Sequence, residues 1–489
     1  MNIEFFSEPE LEFGSGRHID IRFGIMNLGP VDVANILAPK EIKIGVVGTT
    51  ESISSVVQWL ERCRREIPAK KSKQPNLFPK FPGFSEGVGF YAKLILDPQM
   101  QRSIPHANFD RLKELNNPDQ AVEVAVNLFL DELTYLQEKY HPQVYVCAVP
   151  QVLLEISRPQ VPDSDEEGRE EDQGVIEIPA TKIDFHDLLK ARAMRIDVPL
   201  QIILPSTYGK AATSDTTVKK KRKKRQNRLQ DEATRAWNIH TALYYKASGV
   251  PWRLPRQSTD LATCYIGISF YKTLDNSTLL TSVAQVFNER GEGVIVRGGT
   301  ASYSKDDRQV HLAGSDAEAL LENSILQYKR EHFNFPARLV VHKSSSYTQE
   351  ERDGFLAAAR KNGVELLDLL AVRKTFTRLF RAGQYPPLRG TFLSLDDRNH
   401  ILYTRGSVDF FSTYPGLYVP RPLLIQCELI EQTPHDLAHE ILALSKMNWN
   451  NTQFDGSRPI TLRAAEEVSR ILRYIQPGDP MASSYRFYM

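Results

Sequence analysis

Residues 263–272 read TCYIGISFYK, and the second half of the chain is organised around this stretch. Its β-branched and aromatic residues are typical of a central sheet strand, and Gly267 leaves room for another backbone or a ligand to approach. Further elements follow in alternation: a strand with a glycine turn from Gly291, a helix over 316–332, a strand over 337–343 and a helix over 349–361. This order predicts a mixed α/β layer.

Length and composition indicate a globular protein of two domains. A chain of 489 residues favours two domains of roughly 200–250 residues each. Its 41% hydrophobic and 25% charged residues are ordinary, and a net charge of +1 says nothing for or against nucleic acid. No apolar run approaches the ~18 residues of a membrane span, and the N-terminus lacks a basic signal-peptide start. Together with four widely spaced cysteines and no CxxC pair, this predicts a cytoplasmic protein with reduced, buried thiols.

The first half shows a strand–helix rhythm. Residues 1–40 read as an extended arm, and residues 67–86, rich in Pro, Lys and Phe, read as a surface excursion. The stretch KIGVVGTTESISSVVQWLERCRRE, from Lys43, predicts a strand, a turn and an amphipathic helix. Its glycine spacing matches neither the dinucleotide fingerprint nor the P-loop, so we interpret it as a first βα unit. Helices from Ala121 and Phe185 and strands from Val144 and Leu200 then predict a parallel sheet covered on both faces.

Two charge runs interrupt this rhythm. Residues 163–172 (DSDEEGREED) predict a solvated acidic loop. Residues 219–225 (KKKRKKR) follow a predicted strand end and precede a helix that continues through Arg235, His240 and Lys246. A solvated face is one interpretation of this run. The other is anion capture, because a strand end, a basic loop and a helix N-terminus together supply N–H groups, a favourable dipole and ammonium groups.

The stretch 204–251 resembles the MID domain of Argonaute proteins, which anchors the 5′-phosphate of a guide strand. The resemblance implies a phosphate pocket with magnesium bound at the phosphate. Its residues would be Ser206 and Lys210 with Thr207 and Tyr208 beside them, then Gln226 or Gln230, then Lys246 in YYKASGVPW. The chain departs from the family pattern in two ways. Ser206 stands where the family has an aromatic residue or Arg, and the basic insertion lengthens the interval from Lys210 to Gln226.

From residue 259 onward the chain resembles the PIWI domain, which has a ribonuclease-H-like fold. The resemblance includes the hairpin TFLSLDDRNHILYTRG from Thr391, the stretch NWNNTQFDGSRPITL from Asn448 and a last helix over 461–474. The expected fold is therefore α/β, with a Rossmann-like MID domain followed by a ribonuclease-H-like PIWI domain. The expected boundaries are 1–40 for the arm, 41–258 for MID and 259–489 for PIWI. The Asn-Trp-Asn and Arg-Pro-Ile-Thr segments are similar to those of short prokaryotic Argonautes, which consist of MID and PIWI only.

The acidic residues that active Argonautes use for cleavage are missing at the matching positions. Two-metal hydrolysis needs close carboxylates to hold two cations. Here Ser269 stands on the first strand, Ser344 after the 337–343 strand and Ala464 in the last helix, while Glu466 and Glu467 share one helix. We therefore expect a protein without nuclease activity. Two alternatives stay open: a guided nuclease whose ligands lie in another register, and a nucleic-acid-binding scaffold that uses no guide.

A basic stretch from Leu370, LAVRKTFTRLFRAG, is compatible with binding a nucleic-acid duplex. It places Lys374, Arg378 and Arg381 at helical spacings with Phe376 and Phe380 between them. An ordinary helix with aromatics in the core and arginines in water is the alternative, and the same choice applies to Arg389 and Arg421. By the resemblance, the terminal carboxylate of Met489 would help to hold the metal at the guide's 5′ end.

The resemblance also implies partners. It implies a 5′-phosphorylated guide RNA, a complementary single-stranded target DNA, and a separate chain with an APAZ domain. That chain would carry an effector, a TIR or sirtuin-like NAD hydrolase or sometimes a nuclease. The expected complex is a heterodimer that oligomerises on target binding and depletes NAD, an abortive-infection defence against plasmids or phage.

Overall fold

The computed structural model describes residues 2–156, 183–208, 230–256, 261–287, 293–380, 387–411, 419–454, 456–476 and 478–489. Both charge runs named above lie outside these residues. The chain forms two compact units. The five-strand unit comprises Ile25–Pro251 and Trp449–Thr452, and the nine-strand unit comprises Met1–Gly24, Trp252–Asn448 and Gln453–Met489.

The first 28 residues form defined elements where the sequence predicted an extended arm. They are β1 (Asn2–Phe5), β2 (Leu11–Phe13), β3 (Gly16–His18) and α1 (Ile21–Leu28). Strands β2 and β3 pair as an antiparallel hairpin, and β1 pairs antiparallel with residues 391–394. The extreme N-terminus is thus an edge strand of a sheet, because its main-chain groups continue a ladder formed by distant residues.

The five-strand unit is a parallel α/β layer. Its elements are β4 (Glu41–Gly48), α2 (Thr50–Arg62), β5 (Lys93–Ile95), β6 (Gln101–Ser103), α3 (His106–Leu112), α4 (Pro118–Lys139), β7 (Val144–Ala148), α5 (Gln151–Ile156), α6 (Phe185–Ala193), β8 (Leu200–Ile203), α7 (Pro205–Tyr208) and α8 (Glu232–Lys246). The sheet order is β5-β4-β7-β8, with β6 also paired to β4, and every pairing is parallel. The predicted βαβ rhythm is confirmed.

Residues 67–86 contribute to the core of this unit, so their prediction as a surface excursion is wrong in part. Ile67, Phe81 and Phe84 are buried. The rings of Phe81 and Phe84 lie 5.1 and 4.9 Å from the imidazole of His240, which is fully buried. Burying these rings removes apolar surface from water, which outweighs the Pro- and Lys-rich character of the segment around them.

The nine-strand unit is a mixed sheet with helices on both faces. Its further elements are β9 (Thr263–Lys272), β10 (Leu279–Phe287), β11 (Gly293–Val296), β12 (Ala301–Tyr303), β13 (Val310–Leu312), α9 (Gly314–His332), β14 (Arg338–Lys343), α10 (Gln349–Lys361), β15 (Leu366–Lys374), β16 (Thr391–Ser394), β17 (Asn399–Leu402), β18 (Leu423–Leu429), α11 (Pro434–Leu444) and α12 (Ile460–Leu472). The large sheet has the order β1-β16-β17-β18-β15-β14-β9-β10-β11. Its centre, β15-β14-β9, is parallel, and its flanks are antiparallel.

Alternate residues of the central strands face two separate cores. Ile266 and Ile268 of β9 and Val341 of β14 pack with α9 and α10, whereas Val340 of β14 packs with α11 and with Leu462 of α12. The period of two along a strand produces this division, and it fixes which side chains face α12.

Two further predictions can be checked on the described residues. All four cysteines are buried and unpaired, as expected, and burial raises the pKa of the Cys147 thiol to about 12. Among the described helices, none combines the length and apolar character needed to cross a bilayer.

Candidate nucleic-acid interface

The first part of the predicted phosphate pocket lies on a short helix at the carboxyl end of β8. Ser206 and Thr207 belong to α7, which begins two residues after β8 ends. Arg235 of α8 donates hydrogen bonds to the main-chain carbonyls of both residues, at 2.9 Å to Ser206. Burial lowers the pKa of the Arg235 guanidinium below its ordinary value. Among the described residues its hydrogen bonds reach only carbonyl oxygens, so a cation stands beside the predicted Ser–Thr pair.

Lys246 is buried against β8. It is the last residue of α8 and 1% exposed, and its ammonium donates to the side-chain carbonyl of Gln201 at 2.6 Å. Arg235 and Lys246 are eleven positions apart, which is close to three helical turns and places them on one face of α8. Arg235 therefore contacts the short helix that carries Ser206 and Thr207, whereas Lys246, about 16 Å further along α8, contacts the strand β8. That spacing was visible in the sequence, but the sequence argument used only Lys246.

The N-terminus of α8 is capped by the chain itself. The Asp231 carboxylate accepts from the main-chain N–H of Thr234 at 3.1 Å and from its hydroxyl at 2.7 Å. Glu232 adds a second negative charge in the first turn. The expectation of free N–H groups at this helix start therefore does not hold for the Thr234 amide, and cations rather than this helix dipole would supply the attraction for an anion.

Of the remaining pocket candidates, two lie outside the described residues and two lie within them. Lys210 and Gln226 fall outside the described residues. Gln230 is exposed, and its side-chain carbonyl accepts from Asn238 at 3.1 Å. Met489 belongs to the nine-strand unit, where it is 3% exposed and its N–H donates to the Tyr485 carbonyl at 3.3 Å. The structure thus brings Ser206 and Thr207 together with Arg235, and it places Lys246 against Gln201 of β8.

A possible metal-binding group in the described chain lies elsewhere. Asp184, His186 and Asp187 come together at the start of α6. Asp184 caps that helix by accepting from the Asp187 N–H at 3.0 Å, and His186 contacts the Asp187 carboxylate at 2.7 Å. Capping accounts for this arrangement. No comparable group of three carboxylate, imidazole or thiol side chains surrounds Ser206, Thr207 or Lys246 in the described part of the chain.

In the nine-strand unit, the start of α12 lies directly on β9. A Cβ atom on Gly267 would overlap the main-chain carbonyl of Thr461. His342 of β14 is paired in register with Gly267, and its Nδ1 lies 2.8 Å from the Thr461 hydroxyl. The prediction that Gly267 admits another backbone is confirmed, because the Thr461 main chain occupies the space that a side chain would fill.

The side chains on this face carry no carboxylate at the three expected positions. Ser269 is buried two residues beyond Gly267, and Ser344 follows β14 with its N–H directed to the Ile268 carbonyl at 3.4 Å. Ala464 is fully buried one turn after Thr461. Burial, together with the charge of Arg338, lowers the pKa of His342 to about 3, so this imidazole is neutral. Hydroxyls and one neutral imidazole do not supply the negative charge that two divalent cations require.

The two glutamates of α12 are engaged with cations. Glu466 pairs with Arg458. Glu467 pairs with Arg463 at 3.2 Å and accepts from the Tyr485 hydroxyl at 2.5 Å. Burial raises the pKa of Glu467, but Arg463, Tyr485 and Arg470 together lower it below its ordinary value. Each carboxylate is thus paired with a neighbouring arginine, Glu467 in a largely buried setting and Glu466 in a partly exposed one.

A buried ion pair occupies the opposite face of the sheet. Lys343 and Glu351 are both fully buried and 2.5 Å apart. Burial is the main reason that the pKa of Lys343 falls to about 8. Glu351 also accepts from the Leu312 N–H at 2.8 Å and caps α10 through Thr348. Lys343, predicted only as part of the strand end, therefore has a structural partner on the side away from α12.

The basic stretch from Leu370 is not helical. It forms the end of β15 up to Lys374, and Thr375–Phe380 continue as an irregular loop. Phe376 and Phe380 are 81% and 92% exposed, so the interpretation with aromatics in the core is wrong, as is the helix. Sheet pairing with β14 and β18 overrides the local spacing. Arg378 donates to the Thr377 carbonyl at 3.2 Å, and Arg381 lies outside the described residues.

The two other arginines have different surroundings. Arg389 is buried and pairs with Glu8 at 2.9 Å, so its role is internal. Arg421 is exposed and its guanidinium stacks 4.6 Å from the ring of Phe376. The structure therefore separates a structural arginine from a surface arginine that the sequence treated alike.

Comparisons with known proteins identify the fold. No protein-family model and no curated protein sequence matches the chain. Among solved structures, Clostridium butyricum Argonaute bound to a guide DNA and a 19-mer target DNA is similar with a TM-score of 0.65 at 15% identity, over 98% of this chain and 53% of that one. Aa-Ago with externally bound siRNA has a TM-score of 0.56 at 13% identity, and the match covers 99% of this chain and 56% of that one. A. aeolicus Argonaute has a TM-score of 0.55 at 14% identity, and the match covers 96% of this chain and 53% of that one.

These similarities define an Argonaute-like fold. The predicted class, a Rossmann-like MID arrangement followed by a ribonuclease-H-like PIWI arrangement, is confirmed. The chain spans about half the length of the Argonaute structures it matches. At this level of identity the comparison concerns the fold.

Proposed function

We propose that this chain binds the 5′-phosphorylated end of a short guide strand, RNA by the resemblance, and pairs that guide with complementary single-stranded DNA without cutting it. Pairing would supply sequence specificity. The support is the Argonaute-like fold, together with one observation: Ser269, Ser344 and Ala464 stand at the positions where the resemblance leads us to expect metal-binding carboxylates.

The proposed anchor is the cationic face of α8. Arg235 and Lys246 would neutralise the terminal phosphate, and Ser206 and Thr207 on α7 would offer hydroxyls to its oxygens. Lys210 and a glutamine, Gln226 or Gln230, remain candidates from the sequence. Magnesium between the phosphate and the Met489 carboxylate stays a prediction.

The anchor can be tested by fluorescence anisotropy with 3′-labelled oligonucleotides that carry a 5′-phosphate or a 5′-hydroxyl, in RNA and DNA series. Lys246→Ala and Arg235→Ala should each reduce the preference for the phosphate by roughly 10- to 150-fold, since a hydrogen bond to a charged group contributes about 1.5–3 kcal/mol. Lys139→Ala is the matched control, because Lys139 also ends a helix but is exposed. If both variants keep the phosphate preference of the wild type at raised salt, the anchor is wrong.

The absence of cleavage is tested separately. A guide-loaded preparation incubated with labelled complementary DNA and manganese should yield no product. Any product that depends on the guide would favour the alternative of a nuclease with ligands in another register. Sequencing of co-purified nucleic acid addresses the third alternative: short strands of uniform length with one 5′ preference are expected of a guide carrier and not of a general scaffold.

The partner proposal rests on the resemblance to short prokaryotic Argonautes. We expect a heterodimer with an APAZ-containing chain joined to a TIR or sirtuin-like NAD hydrolase, activated when the target pairs and involved in defence against plasmids or phage. Such activation requires that the duplex bind the active arrangement better than the resting one. Co-expression with the neighbouring reading frame, followed by measurement of NAD with matched and mismatched target, tests it. A loss of NAD that does not depend on the match would contradict the coupling.

A further inference from the structure

The loop after β15 holds two aromatic rings in water. Phe376 and Phe380 are 81% and 92% exposed, although the loop itself is firmly attached to the nine-strand unit. The Thr375 N–H donates to the Pro422 carbonyl at 3.0 Å, and the Leu379 N–H donates to the buried Tyr403 hydroxyl at 2.8 Å. The Leu379 side chain packs on the small core formed by Leu393, Ile401 and Tyr403. Anchored at both points, the loop directs its aromatic residues outward while its aliphatic residue faces the core.

The first ring is already part of a stack. Arg421 lies over Phe376 with 4.6 Å between guanidinium and ring centroid. A planar cation on an aromatic face forms a flat surface that combines stacking with positive charge. We call Phe376, Phe380, Arg378 and Arg421 the aromatic platform.

The charge of the chain segments that carry the platform favours a negatively charged partner. Residues 370–380 and 419–425 contain four cationic side chains and no acidic one. The loop also leaves the sheet at the carboxyl ends of β14 and β15, the edge at which Ser344 lies. Ligands of open α/β sheets bind at this edge. A partner with flat apolar faces and a negative backbone complements these features, and single-stranded nucleic acid has both.

We propose that the aromatic platform stacks unpaired bases of a nucleic-acid strand, with Phe376 and Phe380 as the stacking residues and Arg421 contributing charge. This deepens the proposed function and rests on it, because it identifies where the strand beyond the anchored end contacts the nine-strand unit. Stacking tolerates any base, so it would add affinity without sequence preference.

The test uses the full chain and a 3′-fluorescein-labelled single-stranded oligonucleotide, in four forms: with 5′-phosphate or 5′-hydroxyl, and with normal or abasic nucleotides. Phe376→Ala and Phe380→Ala should each weaken binding of the base-containing strand by roughly 5- to 150-fold. The abasic strand should bind wild type and variants equally. Phe376→Trp and Phe380→Trp should retain binding. Arg421→Ala should reduce the salt dependence of affinity, whereas the Phe variants should not.

Phe333→Ala is the matched control. Phe333 is 89% exposed on the same unit, but it precedes β14 and so lies at the opposite edge of the sheet. Equal binding by wild type and the Phe376 and Phe380 variants would overturn the proposal, and so would a loss that persists with the abasic strand or is matched by Phe333→Ala. The phosphate arm separates the two proposals: lack of phosphate preference refutes the anchor, whereas lack of base dependence refutes the platform.

Discussion

Glu8 should be among the most sensitive residues for the stability of the nine-strand unit. Its carboxylate lies 2.9 Å from the Arg389 guanidinium and 2.9 Å from the Lys446 ammonium, and both cationic side chains are fully buried. Lys446 also donates to the carbonyls of Pro9 and Ile19, at 2.5 and 2.7 Å. Removing the carboxylate would leave two buried cations without their counter-charge.

The expected cost follows from that burial. Breaking a buried ion pair by removing one partner costs about 3–5 kcal/mol. At 2–4 °C per kcal/mol for a domain of this size, Glu8→Gln should lower the melting temperature of the unit by roughly 6–20 °C. Differential scanning calorimetry, with denaturant titration as a second measure, gives both quantities.

The pH dependence supplies a second readout. Burial raises the pKa of Glu8, but Arg389 and Lys446 more than offset this, so the pKa lies below its ordinary value. The stabilisation is therefore present above the unfolded-state pKa of about 4.3 and is lost as pH falls through the folded-state pKa. The difference between wild type and Glu8→Gln should shrink at acidic pH.

Glu12→Gln is the matched control. Glu12 pairs with Arg253 at 2.9 Å, but their side chains are 28% and 39% exposed. Such partly solvated pairs contribute about 1 kcal/mol or less. The reasoning is refuted if Glu8→Gln destabilises no more than Glu12→Gln, or if its effect is independent of pH.

Two further predictions concern packing and protonation. Gly267→Ala should destabilise the nine-strand unit by about 1–3 kcal/mol in a denaturation assay, because the added Cβ would overlap the Thr461 carbonyl. Gly87→Ala is the control and should be neutral, because the space around Gly87 is open. Equal destabilisation by the two substitutions would contradict the close approach at Gly267. His240→Phe should flatten the pH dependence of the five-strand unit, because burial lowers the pKa of His240 to about 4, so wild type loses stability as pH falls from about 6.5 towards 4. Unfolding followed by tryptophan fluorescence across that range would show it, and an unchanged slope would contradict the assignment.

Local signals account for what the sequence predicted well. The sequence predicts the helix Gln349–Lys361 with its observed bounds, because the Thr348–Glu351 capping box that begins it spans only four residues. The hairpin of β16 and β17, the central strand β9 and the close approach at Gly267 also follow from patterns of short range. The candidate positions Ser206, Ser269 and Ser344 come from the spacing of a family motif, and their roles stay predictions.

Tertiary structure decided the features that depend on partners far away in sequence. Phe81 and Phe84 are buried because His240, more than 150 positions later, completes their core, and residues 370–374 form a strand because β14 and β18 pair with them. Arg389 is structural because Glu8 reaches it from the N-terminus. The physical reason is that period and capping act over a few residues, whereas burial and ion pairing depend on which distant segments the fold brings together.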